Sequence, residues 1–486
     1  MSDVKEMLKN IDYKNVLGYF AEISDIPRGS GDNKRISDYL VAFAKNHNLR
    51  YVQDEALNVI IYKDATAGYE AHTPVIIQGH MDMVCVKEED SNHDFTKDGL
   101  ELILEGNILH ANKTTLGGDD GIAVAYGLAL LADDTIKHPA LEILITTDEE
   151  TGMDGAKALD PSLLKGKHMI NVDSEDEGVV LVSCAGGLRV YGELPVRRQE
   201  MEGTSLKIVV SGLKGGHSGA EIHKSRTNAT LLLARTLMCL SETAGYSMVS
   251  MKGGEKDNAI PAYAEATILV DAESAEEVVK KVQELNEVFK KELSSAEPDV
   301  NLAVTLGGNE KVNAVHAVDF EKILFVLIQA PNSVQVMSSD IEGLVESSLN
   351  LGIFSIDEDK AQYHYALRSS KSSYKQYMTD KLLYLITFLG GECEATNDYP
   401  AWEYKKESKF RELFAEVFEK EYGHPCKMEA IHAGLECGLI SEKIPDIDIV
   451  SIGPDMKDIH SPREQLDVES AIRVYKFLEK LLEAMK

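Results

Sequence analysis

Leu144-Ile145-Thr146-Thr147-Asp148-Glu149-Glu150-Thr151-Gly152 is the stretch on which the reading of this chain turns. The run from Leu141 to Ile145 is that of a buried strand in a parallel sheet. It stops in three consecutive acids, and Gly152 and Gly155 then turn the chain toward a helix. Adjacent acids at the carboxyl end of a buried strand repel each other, and in open α/β sheets that edge is where ligands bind. The stretch therefore predicts a metal ion held by Glu150, with Glu149 handling protons beside it.

Working outward, the same device recurs. A buried strand from Pro74 to Gln78 empties into Gly79-His80-Met81-Asp82, and another from His168 to Val172 ends in Asp173. Between them, Thr114-Thr115-Leu116-Gly117-Gly118-Asp119-Asp120-Gly121 is a glycine-rich turn entering a helix over Ile122 to Leu131. Strands alternating with helices predict an α/β fold with a mostly parallel sheet. From residue 187 to residue 400 the pattern changes to β-α-β-β-α-β, read twice over: an inserted α+β lid domain of two related halves. The expected organisation is thus a catalytic domain over 1–186 and 401–486 with the lid over 187–400. A chain of 486 residues is also too long for one ordinary core.

Composition narrows the function. With 50 basic and 81 acidic residues the formal charge is −31, which excludes nucleic acid or an anionic membrane surface as the main partner. No apolar run reaches membrane-spanning length, and the charged N-terminus lacks the apolar core of a secretory signal. The six cysteines are scattered without a CxxC pair, as expected of buried thiols in a reducing cytoplasm. A cytoplasmic protein is expected.

The residues that carry chemistry are His80, Asp82, Asp119, Glu149, Glu150, Asp173 and His460. A dinuclear metal site needs imidazoles, several carboxylates and one carboxylate able to bridge both ions. His80 and Asp82 are two apart, so in an extended segment both side chains point the same way and Asp82 can orient the His80 ring. Each residue alone has an ordinary explanation: Asp119 or Asp120 as a helix cap, Asp173 as a turn acid, His460 as a loop histidine. Gathered after successive strands, they read as one site.

Gly79-His80-Met81-Asp82, Gly117-Gly118-Asp119-Asp120-Gly121, Thr147-Asp148-Glu149-Glu150-Thr151-Gly152, Val172-Asp173 and His460-Ser461-Pro462-Arg463-Glu464, in that order, resemble the M20 family of metallopeptidases over nearly the whole chain. The resemblance implies one metal held by His80 and Asp173, a second by Glu150 and His460, and Asp119 bridging them through a cis peptide to Asp120. It implies Glu149 as general base and Asp82 as the partner of His80. It implies two divalent ions, zinc first, with cobalt or manganese as alternatives. In the lid, His217 of Gly215-Gly216-His217-Ser218-Gly219 would help hold the oxyanion and substrate, Asn258 would bind substrate, and Arg368 would clamp the dipeptide carboxylate. Gly434, in His432-Ala433-Gly434-Leu435-Glu436-Cys437-Gly438, would be a backbone contact.

Length, the large insert and that last segment look most like the dipeptidase branch of the family. The implied substrate is a dipeptide with a free amino terminus, Xaa-His dipeptides among them. Rival readings are an aminoacylase, a deacylase or a carboxypeptidase on the same metal core, or an inactive metal-binding protein, against which the intact Glu149 speaks. Relatives that dimerise through the lid make a homodimer an expectation, although a duplicated lid can mimic that contact within one chain.

Overall fold

The strand Leu141–Thr146 is buried along its whole length because it lies inside an eight-stranded sheet. In the computed structural model, which describes residues 2–11 and 13–486, the chain forms two units. The first runs to Ser183 and takes in Tyr404–Ala430 and Glu436–Lys486; the second is Cys184–Glu403 with Ile431–Leu435.

The sheet of the first unit has the order Arg50–Gln53, Val59–Lys63, Leu141–Thr146, Val75–His80, His168–Asn171, Asp448–Ser451, Val179–Cys184, Lys427–Ile431. The Leu141, Val75, His168 and Asp448 strands are mutually parallel. Val59–Lys63 and Val179–Cys184 flank them antiparallel, so the sheet is mixed, with a parallel centre. The difference from the sequence reading arises at the edge, where Arg50–Gln53 and Val59–Lys63 pair antiparallel across a short turn that needs no crossover helix.

Register decides the rest. His80 lies opposite Thr146, and Gln78 opposite both Leu144 and Asn171, so the parallel strands end within two residues of one another along one edge. Whatever follows those strands is gathered there. Behind the edge, the helix Gly118–Ala132 is buried from Gly121 to Leu131, as its apolar residues all round require. The helix Val468–Ala484 buries Ala471, Val474, Leu478, Leu481 and Leu482, and its Ala471 carbonyl accepts from the Tyr126 hydroxyl at 2.6 Å.

The second unit is a nine-stranded sheet with helices packed on it. Arg198–Ser211, Tyr246–Gly253, Ala264–Val270 and Asn301–Val315, with helices Ala229–Leu240 and Ala275–Glu292, make one β-α-β-β-α-β set. Gly186–Pro195, Val345–Ile356, Lys360–Ser369 and Glu392–Tyr399, with helices Ala317–Gln329 and Ser372–Phe388, make the other. Numbering each set's strands one to four, both have the order 4-1-3-2 across the sheet, and they meet where Tyr246–Gly253 pairs with Val345–Ile356. The first set is therefore inserted between the first strand and first helix of the second. Among the described residues no helix is long and apolar enough to cross a membrane.

Candidate active site

The residues that follow the parallel strands converge. His80 is the last residue of its strand; Glu149 and Glu150 follow Leu141–Thr146; Asp173 follows His168–Asn171; and His460 lies beyond Asp448–Ser451. Asp119 joins them from the start of the Gly118–Ala132 helix. It has non-helical φ/ψ, and the Asp119–Asp120 peptide is cis.

Asp119 is the hub. Its Oδ1 lies 3.1 Å from His80 Nε2 and its Oδ2 lies 3.1 Å from His460 Nε2. His80 Nε2 is also 3.7 Å from Asp173 Oδ1, and His460 Nε2 is 2.9 Å from Glu150 Oε1. That Glu150 oxygen is buried, and its contact with His460 lacks the geometry of a hydrogen bond. One carboxylate thus offers an oxygen to each of two His–acid pairs, an arrangement of N and O donors that could hold metal.

By distance alone, His80, Asp119 and Glu150 group as possible ligands, and so do His80, Asp120 and Asp173. Of the two aspartates, Asp119 is the freer to serve a metal. Asp120 is already engaged, accepting from the backbone N–H of His80 at 3.2 Å and of Ala123 at 3.3 Å. It does the capping, and Asp119 is left to face the imidazoles.

The charges are those of a site poised for cations. Burial alone would lower the His80 pKa, but Asp119, Asp173 and Asp82 around it raise it well above the ordinary value. His460, beside Asp119 and Glu150, is raised to about 10. Burial lifts Asp173 to about 6 against the pull of His80. Glu149 is likewise raised well above the carboxylate range by burial, with Asp173, Glu436 and Glu150 adding to it and His80 opposing. Asp119 moves the other way: despite its burial, the two histidines hold it below the usual range.

Asp82 organises two parts at once. Its backbone and side-chain oxygens stand 3.2 and 3.4 Å from His80 Nδ1, leaving Nε2 to face Asp119. Its carboxylate also accepts from the N–H of Glu149 at 3.1 Å, from that of Glu150 at 3.4 Å and from Ser30 Oγ at 2.7 Å. The ring of one ligand candidate and the backbone of the acidic turn therefore hang on one fully buried carboxylate.

Four residues that sequence reasoning left without a role complete this region. Asp148, at φ 54°, accepts from Gly31 N at 2.6 Å and Asn33 Nδ2 at 2.7 Å, tying the acidic turn to the 27–33 loop. Glu464 accepts from the N–H groups of Leu116, Gly117 and Gly118 at 2.7, 3.0 and 2.8 Å. On the other side of that turn the buried Arg28 donates to the carbonyls of Gly117 (2.5 Å) and Met81 (3.1 Å). Gly117, at φ 64°, leaves no room for a side chain beside this guanidinium. Beneath the site Glu436 accepts from Gln78 Nε2 and Thr146 Oγ1, each at 2.6 Å, and burial raises its carboxyl to about 8. Only an acid opening a helix after Gly434-Leu435 hinted at Glu436 in the sequence.

The lid candidates lie together within the second unit. His217 pairs with Ala259, the neighbour of Asn258, and the Asn258 carbonyl accepts from Ser218 N at 2.8 Å. His217 Nδ1 accepts from the N–H groups of Ala220 at 3.0 Å and Gly219 at 3.3 Å. Burial, then Arg368 and Arg189, lower its pKa, so the neutral ring carries its proton on Nε2 as a fixed donor. Arg368 is 7% exposed and donates through Nη1 to the Tyr399 hydroxyl at 3.1 Å. Gly434 stands against the Tyr399 ring. Ser348 Oγ is 2.7 Å from His432 Nε2; burial, with Arg368 adding to it, takes this histidine down to about 3.

Comparison with known proteins agrees with this architecture. Residues 76–484 match the family described as Peptidase family M20/M25/M40. The chain is 37% identical over 466 residues to the cytosol non-specific dipeptidase of Escherichia coli (strain K12), covering 95% of this chain and 96% of that protein. Its structure is similar to that of an aminoacylhistidine dipeptidase from Vibrio alginolyticus, with a TM-score of 0.92, 34% identity and coverage of 97% and 98% of the two chains. A tripeptidase from Staphylococcus aureus, at 16% identity, a TM-score of 0.55 and coverage of 97% and 98%, shares the fold. With a match that spans both parts of the first unit and the insert between them, the chain belongs to peptidase family M20/M25/M40.

Proposed function

We propose that this chain is a metal-dependent dipeptidase that cleaves dipeptides with a free amino terminus, Xaa-His dipeptides included. The observation that carries the reading is Asp119, whose two carboxylate oxygens each stand 3.1 Å from a different imidazole. His80 with Asp173 would hold one divalent ion and Glu150 with His460 the other, with Asp119 shared and zinc the first choice over cobalt or manganese. Such ions supply Lewis acidity, which lowers the pKa of water from about 16 to about 7 and polarises a peptide carbonyl.

The chain's own groups do the rest. Asp82 fixes the His80 ring so that Nε2, not Nδ1, faces Asp119. Glu149 has a desolvated carboxyl with raised proton affinity, the property needed to take a proton from the attacking water and return it to the leaving amine. Its backbone is held by Asp82, so the base and the His80 ring keep a common reference. His217 offers an Nε2–H to the carbonyl oxygen as negative charge develops there. Asn258 and the backbone at Gly434 contact the substrate, and Arg368 takes its carboxylate, a match to the planar guanidinium fork.

The names of the relatives at 37% and 34% identity support a dipeptide as substrate. The experiment compares hydrolysis of Gly-His, of the same dipeptide extended by one residue, and of an N-acetyl amino acid. Cleavage confined to the dipeptide is expected. Cleavage of the acetylated compound alone would assign the chain to an aminoacylase activity instead.

A further inference from the structure

We propose that Tyr399 is a second reader of the substrate carboxylate and sets the preference for a free C-terminus over a blocked one. The inference rests on the reading of Arg368 given above and extends it to a residue outside every motif.

The Arg368 guanidinium is buried, yet among the described residues no carboxylate pairs with it and its Nε has no acceptor. A buried cation without a counter-ion is costly, and an anionic ligand is what relieves it. Its positive field reaches the neighbouring rings, lowering the pKa values of His217 and His432 after burial has done so. Nη1 donates to the Tyr399 hydroxyl oxygen at 3.1 Å. That oxygen is thereby used as an acceptor, and its own proton remains to be given; among the described residues no acceptor takes it. A guanidinium and the hydroxyl proton beside it are two donors for one planar anion.

Tyr399 is held for this task. It ends the strand Glu392–Tyr399 opposite Gly187, and its carbonyl accepts from the buried Lys375 Nζ at 2.7 Å. A side-chain carbon at Gly187 would lie 2.6 Å from the ring's Cζ, and one at Gly434 would lie 2.7 Å from its Cε2. The ring therefore sits in a slot that two glycines keep open. From the other direction the Gly219 backbone closes on Arg368, where a side-chain carbon would lie 2.8 Å from Nε. Gly434 thus has a second role: it makes room for Tyr399.

The test uses the metal-loaded enzyme with Gly-His and its C-terminal amide, and reads the ratio of kcat/KM for acid over amide. In Tyr399→Phe the ring stays and only the hydroxyl leaves. The ratio is expected to fall about tenfold, carried by KM for the acid, the size of one hydrogen bond to a charged group. Gly434→Ala, which crowds the ring, is expected to lower the ratio in the same direction. Arg368→Ala separates the two layers of the argument. If it leaves the ratio at the parental value, Arg368 does not read the carboxylate and the underlying reading fails. If it collapses the ratio while Tyr399→Phe keeps it, the role of Tyr399 alone is refuted. An equal loss on acid and amide in Tyr399→Phe, with kcat falling and KM unchanged, would also refute it, because a merely structural residue would act that way.

Discussion

Replacing Asp82 with alanine tests whether one buried carboxylate aligns both the His80 ring and the acidic turn. The substitution removes the acceptor of the Glu149 and Glu150 N–H groups and the negative partner of His80 Nδ1. A buried donor left without an acceptor costs about 1–3 kcal/mol. Both N–H groups are only part-buried and the second bond is long, at 3.4 Å, so the lower end applies and the total is about 2 kcal/mol. About 2 kcal/mol is roughly a 30-fold change in a binding constant. That falls inside the roughly 10–100-fold loss expected when a partner of a metal ligand is removed. Calorimetric zinc titration of the Asp82→Ala chain is therefore expected to show affinity weakened roughly 30-fold, with kcat/KM for Gly-His falling at least as far. Asp82→Asn keeps an acceptor for the Glu149 N–H and is expected to lose less zinc affinity. An alanine variant with parental zinc affinity and turnover would refute the assignment.

Glu149→Gln is expected to bind zinc with parental stoichiometry while kcat falls by about 10²–10⁴-fold, the usual contribution of an acid–base group; parental turnover would show that the base is misassigned. Glu464→Ala strips the acceptor from four N–H groups, those of Leu116, Gly117, Gly118 and Asp119, so weaker zinc binding is expected than in Glu464→Gln, which keeps an acceptor. Equal affinities in the two variants would show that the turn holds itself. Glu436 gives a pH dependence. Burial raises its carboxyl from 4.5 to about 8, so the folded chain holds that proton more tightly than the unfolded one. The resulting stability is complete below about pH 4.5 and is lost as pH rises toward 8. Denaturant melts of metal-stripped protein at pH 5, 6.5 and 8 are expected to fall in that order, with Glu436→Gln flattening the trend; an unchanged slope in the variant would contradict it.

The parallel centre of the first sheet and the convergence of most candidate residues at its edge were legible because both signals are local. A buried strand followed at once by His80, by Glu149 and Glu150, or by Asp173 carries its own signal, and parallel register does the gathering. The antiparallel edge was not legible, since a buried run of apolar residues looks the same in either direction. Asp148 was left unassigned because its partners, Gly31 and Asn33, lie more than 100 residues away. Arg28, Glu464 and Glu436 likewise act on groups far off in the chain, 89, 348 and 290 residues away; Glu464 and Glu436 stand in stretches that carry the family resemblance, but those stretches do not say what the two acids hold. The strand Gly186–Pro195 belongs to the second half of the duplicated insert, but the whole first half separates it from its set. Tyr399 carries no motif; its meaning appears only once Gly187 and Gly434 are seen on either side of its ring.

The most direct test is the number of zinc ions the metal-stripped chain takes up, read by calorimetric titration with metal analysis of the product. Two tight sites per chain are expected, falling to one or none in Asp119→Ala because both proposed sites share that carboxylate. A single site in the parent chain, or two sites that survive the loss of Asp119, would contradict the account.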